Sequence, residues 1–250
     1  MDTRRVIGWF SCGATSAVAC KLMLHDHPDA EVVRIRIASE HPDADRFAAD
    51  CERWYGKPIV TLTPRPRDDH FEVLKYHRYV NGPTGAKCTR DLKRKVREAY
   101  QRPDDLHVFG FDAEEASRVE DFRENNPGLD FAAPLLDAGL SKSDCKAIVN
   151  RAGIEDHAMY RLGYGNANCV GCVKGGMGYW NRIRVDFPEA FARMAALERD
   201  IGHTVLRRDG LPLYLDELPP DAGRFEADQP GQCSVLCFLS LDRVGLGGND

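Results

Sequence analysis

The sequence predicts an α/β protein: a parallel sheet with helices on both faces, followed by a cysteine-containing C-terminal appendage. Three observations carry that expectation. Short β-branched runs alternate with segments whose apolar residues recur at helical spacing. The first run, Val6 to Phe10, passes through Ser11-Cys-Gly-Ala-Thr-Ser16 straight into a small-residue helical pattern. After Gly202 the periodicity fades and the chain turns Pro-rich. Residues 1–158 therefore read as one α/β domain, and residues 159–250 as a Cys-rich accessory lobe and tail packed on it.

The elements follow in order. Val6 to Phe10 is the first strand, Ser11 to Ser16 a turn, and Ala17 to His25 a helix. Glu31 to Ala38 alternates and is β-branched, which predicts a second strand. From Asp43 to Tyr55, Phe47, Ala48, Cys51 and Trp54 share a helical face, and Gly56 stops the helix. Pro58 to Leu62 is a third strand. Arg65 to Lys87 is polar, with Pro and Gly, so mostly loop with room for one helix. Thr89 to Tyr100 is a basic helix and Leu106 to Phe111 a fourth strand. An extended piece spans Phe131 to Leu135, and a helix runs from Ser143 to Ala152, capped from Ser141 to Asp144. Residues 160–182 are rich in Gly and Asn, and Phe187 to Ile201 is amphipathic. Beyond it the tail has few periodic apolar positions.

Composition narrows the classes. An apolar fraction of 43% and a charged fraction of 29% suit a globular chain. No apolar run approaches the ~20 residues of a membrane span, and the start MDTRRVIGWF has no signal-peptide pattern. The expected location is cytoplasmic. A net charge of −5 argues against a generally adhesive nucleic-acid binder. Nine cysteines is many for a reducing compartment. Cys20, Cys51 and Cys145 fit as small buried apolar residues, whereas Cys88, Cys169, Cys172, Cys233 and Cys237 lie in polar, Gly-containing surroundings that point to metal or redox chemistry.

Three constellations could carry chemistry. Free N–H groups at a helix start make the Ser11–Ser16 turn an anion cradle, with hydroxyls from Ser11, Thr15 and Ser16. It has neither a Walker pattern nor G-x-G-x-x-G. The second is CTRDLKRKVRE, residues 88–98. Cys88 precedes a helix bearing Arg90, Lys93, Arg94, Lys95 and Arg97, a setting that favours thiolate. The third is Cys169-x-x-Cys172 with Cys233-x-x-x-Cys237, which could build a four-thiolate zinc or iron–sulfur site.

These motifs resemble a known family. FSCGATSAVA resembles the PP-loop, S-G-G-x-D-S, with Ser11, Gly13 and Ser16 matching, Cys12 replacing a Gly and Thr15 replacing the Asp. Ile37-Ala-Ser-Glu-His-Pro-Asp-Ala-Asp-Arg-Phe, Lys87-Cys-Thr-Arg-Asp-Leu-Lys-Arg-Lys-Val and Gly110-Phe-Asp-Ala-Glu-Glu-Ala-Ser-Arg resemble, in order, segments of phosphoadenosine-phosphosulfate reductases. Ala133-Pro-Leu-Leu-Asp and Tyr160-Arg-Leu-Gly-Tyr through Cys172 continue the match, to about residue 200. In the third segment Asp112 replaces an arginine of the family pattern.

The resemblance implies a Rossmann-like fold of the adenine-nucleotide alpha hydrolase type. It also implies a site that binds ATP or a related adenine nucleotide with Mg2+. Nucleotide contacts would come from Ser11, Cys12, Gly13, Ala14, Thr15, Ser16, Ala38, Glu40, Gly110, Glu115 and Arg118, with Cys88 and Lys93 as catalytic groups. It further implies a [4Fe-4S] cluster, with zinc as the alternative, on Cys169 and Cys172 plus two of Cys88, Cys233 and Cys237. Cluster-bearing relatives have adjacent cysteines, whereas Lys87 precedes Cys88. Two reactions compete: ATP-dependent sulfur transfer, and thiol-dependent reduction of a sulfonucleotide. The tail reads Gly231-Gln-Cys-Ser-Val-Leu-Cys237, without the reductases' E-C-G-[LI]-H motif, which favours sulfur transfer. A nucleotide-binding module without catalysis is the third reading, prompted by Thr15. Candidate partners are a sulfur-donor protein or cysteine desulfurase and a nucleic-acid substrate, with no membrane; the oligomeric state is not legible.

Overall fold

The computed structural model describes residues 4–80 and 85–246. Parts of three sequence expectations fall outside them: the N-terminal Met1 to Thr3, residues 81–84 of the segment read as loop, and residues 247–250 of the tail.

Five strands form one parallel sheet: β1 (Val6–Phe10), β2 (Glu31–Ile35), β3 (Ile59–Leu62), β4 (Leu106–Val108) and β5 (Phe131–Ala132). Their order is β3-β2-β1-β4-β5. The chain winds outward from β1 to β3, then returns to the other side of β1. The loops after β1 and β4 therefore diverge, and between them lies the crevice where open α/β sheets take ligands. Both fully buried positions of β1 and the β-branched runs of β2 fit a strand covered on both faces.

Helices α1 (Ala14–Asp26), α2 (Asp43–Tyr55), α3 (His70–His77), α4 (Lys87–Thr89), α5 (Lys95–Tyr100), α6 (Ala116–Glu124), α7 (Pro134–Asp137), α8 (Lys142–Arg151) and α9 (Ala158–Arg161) link and follow the strands. Between α4 and α5 the turn Arg90–Arg94 is π-helical. Gly56 ends α2 in the left-handed conformation, and Ser141 and Asp144 form a capping box on α8, both as the sequence predicts. Helix α1 starts three residues earlier than expected, at Ala14, so half of the supposed turn is its first helical turn. The strands β2 and β4 end earlier than predicted, at Ile35 and Val108.

Among the described residues two large apolar cores and three small clusters result. The larger packs β1 and β2 against α1, α2 and α8 around Phe10, Leu22, Phe47, Leu135 and Ile148. The second joins Phe71, Leu74, Val80 and Ala86 to α10 (Met177–Asp186), α11 (Pro188–Ile201) and the segment after them. There the buried Glu198 accepts from the N–H groups of Val205 and Leu215, and burial raises its carboxyl to about 7. The hairpin β6 (Leu206–Arg208) and β7 (Leu211–Leu213) turns on Asp209-Gly210, both at positive φ. Asp-Gly is a strong hairpin signal, and it was legible in a segment read as irregular.

The tail corrects one expectation. Its few apolar positions are enough to dock it by burial. Its helix α12 (Val235–Ser240) buries Cys237, and Leu241 and Val244 behind it are buried in the larger core. Each such aliphatic side chain contributes roughly 1.5–3 kcal/mol. Among the described residues no helix is long and apolar enough to cross a membrane.

Candidate functional site

The crevice is built first by the loop after β1. Cys12 sits at φ 58, the left-handed region that favours glycine, which is the residue the PP-loop pattern has there. Its thiol is buried against the Ala44 carbonyl, and burial pushes its pKa far above the ordinary range. The Ser16 hydroxyl accepts from the Ser11 N–H at 3.0 Å and the Ser11 hydroxyl at 3.1 Å, and donates to the Gly13 carbonyl at 2.9 Å. The two serines thus lace the loop shut. The Ala14 N–H donates to the Tyr160 hydroxyl at 3.4 Å, and a Cβ on Gly13 would lie 3.1 Å from that oxygen. Gly13 is therefore needed for the approach of Tyr160.

The loop after β4 closes the other side. A Cβ on Gly110 would stand 2.7 Å from both Cα and N of Ser16, closer than any real contact. Gly110 lets two loops lie backbone to backbone across the switch point. Beyond it, Asp112 and Glu115 form a capping box. Asp112, which replaces a family arginine, is thus an N-cap, and one oxygen of Glu115 accepts from its N–H at 3.3 Å. The exposed Arg118 ion-pairs with Glu115.

At the end of β2 the chain turns through Ala38 to Glu40. Glu40 is held by buried Arg34 at 3.3 Å; burial raises its carboxyl, opposed by Arg34 and Lys93. Asp45 also ion-pairs with Arg34, at 2.8 Å, and with Arg36. The cysteine loop docks here. The Val170 N–H donates to the Ser39 carbonyl at 2.8 Å. His70 pins both sides: Nδ1 meets the Ser39 hydroxyl at 2.6 Å and Nε2 the Gly171 carbonyl at 3.0 Å. Burial lowers the His70 pKa to about 4, so the ring is neutral and Nε2–H donates to Gly171. The Tyr179 hydroxyl accepts from the N–H groups of Gly171 and Cys172, at 3.1 and 2.9 Å.

Two cysteines share a small apolar cluster at this place and a third lies near them. Cys88 and Cys169 pack against Ile37, Val73 and Leu92, and Cys172 lies in electrostatic range of both. Lys93 acts on Cys88, Cys169 and Glu40 together. The sequence predicts a lowered Cys88 pKa; the fold gives the opposite. Burial and neighbouring Cys172 raise it, and the Thr89 N–H, Lys93 and Lys174 only offset that. Burial likewise pushes Cys169 up to about 12, against Lys93 and Ser39.

The four-thiolate site is not assembled. Cys233 and Cys237 are bonded to each other, with Cys237 in the larger core. Among the described residues no three of His, Cys, Asp and Glu converge to hold a metal. The donor set therefore does not fit a [4Fe-4S] cluster or zinc site built on Cys233 or Cys237. The reason is topological: the tail crosses α8, whereas the Cys169 loop docks on the end of β2.

Sequence reasoning missed His70, which lies in a stretch read as loop and has no motif. It also quoted Tyr160 without assigning it a role.

No family model and no curated protein matches this chain in sequence. Among solved structures it is similar to the phosphoadenylyl-sulfate (PAPS) reductase from Candida auris, in a phosphate complex. The TM-score is 0.50 at 14% identity, over 67% of this chain and 82% of that one. The chain has a PAPS reductase-like fold. In that fold the strand order and crevice described above set the loop after β1 at the ligand edge.

Proposed function

We propose that this chain is an adenine-nucleotide-dependent enzyme of sulfur chemistry, and within that class an ATP-dependent sulfurtransferase. One observation carries the reading: an N–H loop at the switch point follows β1, and Cys88 and Cys169, with Lys93 and Cys172 in electrostatic range of both, lie about the chain that follows the adjacent strand β2. The similar structure from Candida auris is described in a phosphate complex; on this reading the Ser11–Ser16 loop would be the phosphate cradle. Ala38 and Glu40 border the adenine side, and Gly110 keeps the cradle closed. Arg118, now paired with Glu115, would offer its planar fork to a phosphate.

A substrate oxygen attacks the α-phosphorus of MgATP, and pyrophosphate leaves with the bonding pair. A persulfide on Cys88, loaded by a sulfur-donor protein or cysteine desulfurase, then attacks the activated carbon through its outer sulfur, and AMP leaves. The Cys172 thiolate attacks Sγ of Cys88, the S–S pair stays with the product sulfur, and a Cys88–Cys172 disulfide remains for a thiol reductant to open. Lys93 favours the thiolates. A base in a nucleic acid is one acceptor that would suit this chemistry.

The tail supports sulfur transfer over sulfonucleotide reduction, because its two cysteines are bonded to each other rather than free to attack. Isothermal titration with ATP and with PAPS tests the choice, together with pyrophosphate release. ATP binding with pyrophosphate release is expected. Binding of PAPS alone would favour the reductase, ATP binding without turnover a non-catalytic module, and binding of neither would overturn the reading.

A further inference from the structure

Two lysines that play no part in the proposed chemistry stand beside the phosphate loop. Lys142 and Lys146 lie one turn apart on α8, and both ammonium groups sit 5.3 Å from the centre of the Tyr160 ring. The hydroxyl of that ring accepts the Ala14 N–H of the loop. One tyrosine therefore separates the lysine pair from the cradle. Lys146 is 2% exposed. Lys142 also donates to the Gly165 carbonyl, and Lys146 to the Gln229 carbonyl.

A single carboxylate oxygen serves both cations. Asp228 Oδ2 lies 3.1 Å from Lys142 Nζ and 3.1 Å from Lys146 Nζ. Asp228 is thus the carboxylate that both cations touch, while Asp112 lies only in electrostatic range of Lys142. A buried cation is costly unless fully paired. An oxyanion with more than one negative charge would match the two ammonium groups better than the single charge of Asp228.

Asp228 belongs to a strap of tail laid over α8. Its N–H donates to the Gly163 carbonyl at 2.8 Å. The Gln232 N–H donates to the Ser143 hydroxyl at 2.9 Å, and the Ser234 N–H to Asp144 at 2.7 Å. The strap lies mostly on the surface between two apolar anchors: Phe225 packs against Tyr164 in the second core, and Cys237, Leu241 and Val244 hold the chain beyond it. Residues 226–232 are the stretch that would lift while both anchors stay docked.

We propose that Lys142 and Lys146 form an oxyanion site for a phosphate or sulfate group, which Asp228 fills from within. A doubly charged oxyanion displaces Asp228 and frees the strap. On the proposed function, the natural ligand is a second anionic group of the nucleotide held by the loop. The lysine site itself requires only an oxyanion.

The test uses the full chain, inorganic phosphate and pyrophosphate. Asp228→Asn removes the internal anion and leaves two unpaired cations. The variant should melt earlier, and phosphate or pyrophosphate should restore its melting temperature more than they raise that of the wild type. Its affinity for pyrophosphate should rise about tenfold, as expected when a competing charge is removed. Lys142→Met/Lys146→Met in the Asp228→Asn background should abolish the rescue. In the wild type, pyrophosphate should speed proteolysis within 226–232. If oxyanions do not restore Asp228→Asn, or restore the triple variant equally, Asp228 is only an anchor for the tail and the proposal fails. ATP titration of the wild type reports separately on the loop, so rescue without ATP binding would uphold the lysine site and reject the nucleotide reading.

Discussion

Gly110→Ala is the sharpest probe of the crevice. The added Cβ would lie 2.7 Å from Cα and N of Ser16 and 2.9 Å from the carbonyl carbon of Thr15. Ordinary contact begins at 3.4 Å, so the loop must retreat by 3.4 minus 2.7, or about 0.7 Å. All three atoms are backbone, so no side chain can swing away. Gly110 is not at positive φ, so alanine suffers no conformational strain there and the effect is purely steric. Overpacking of this kind costs about 1–3 kcal/mol. For a chain of this size that lowers the melting temperature by roughly 2–12 °C. A shift of this size also misplaces the N–H groups aimed at a phosphate, which should weaken ATP binding by about tenfold to a hundredfold. The assays are differential scanning calorimetry and isothermal titration with ATP. Gly176→Ala is the control: nothing lies within 4 Å of its added Cβ, and its φ is −82°. It should melt within about 1 °C of the wild type. If Gly110→Ala also melts with the wild type and binds ATP equally well, the two loops are not locked together and the site is wrongly placed.

Two further outcomes follow from electrostatics at the cysteine loop. His70 has a folded pKa of about 4 against an ordinary 6.5, so the unfolded chain binds the extra proton between those values. Its contribution should be fully present above pH 6.5 and be lost as pH falls toward 4. Because Glu198 titrates in the opposite sense, with its folded pKa raised to about 7, the readout is the difference in stability between wild type and His70→Gln across pH 4 to 7. A flat difference would mean that the ring is not held neutral between Ser39 and Gly171. Lys93→Met removes a cation that favours the Cys88 and Cys169 thiolates. Iodoacetamide should then label Cys88 about threefold more slowly at pH 7.5, Lys174 supplying the remaining effect. An unchanged rate would place Lys93 outside the thiol cluster.

What the sequence by itself determined is local or periodic. The alternation of β-branched runs and helical faces settled the α/β class, because burial on two faces or one face writes period and length directly into the chain. Gly56 and Ser141 marked helix ends through backbone freedom and a capping hydroxyl, and Ser11, Gly13 and Ser16 marked a loop that the strand order then placed at the switch point. What only the tertiary structure decided involves partners far apart in sequence and the loss of water around them. Cys88 looked like a thiolate beside cations, but its pKa rises because the fold buries it next to Cys172, 84 positions away. His70 joined the site through Ser39 and Gly171, contacts that no spacing announces. Cys233 and Cys237 left the expected metal set because the tail is drawn across α8 by Asp228 and into the core by Leu241 and Val244. Composition lists these charges and thiols; only the packed chain sets which of them share a low-dielectric space, and there one neighbour or one lost water shell reverses a pKa or a role.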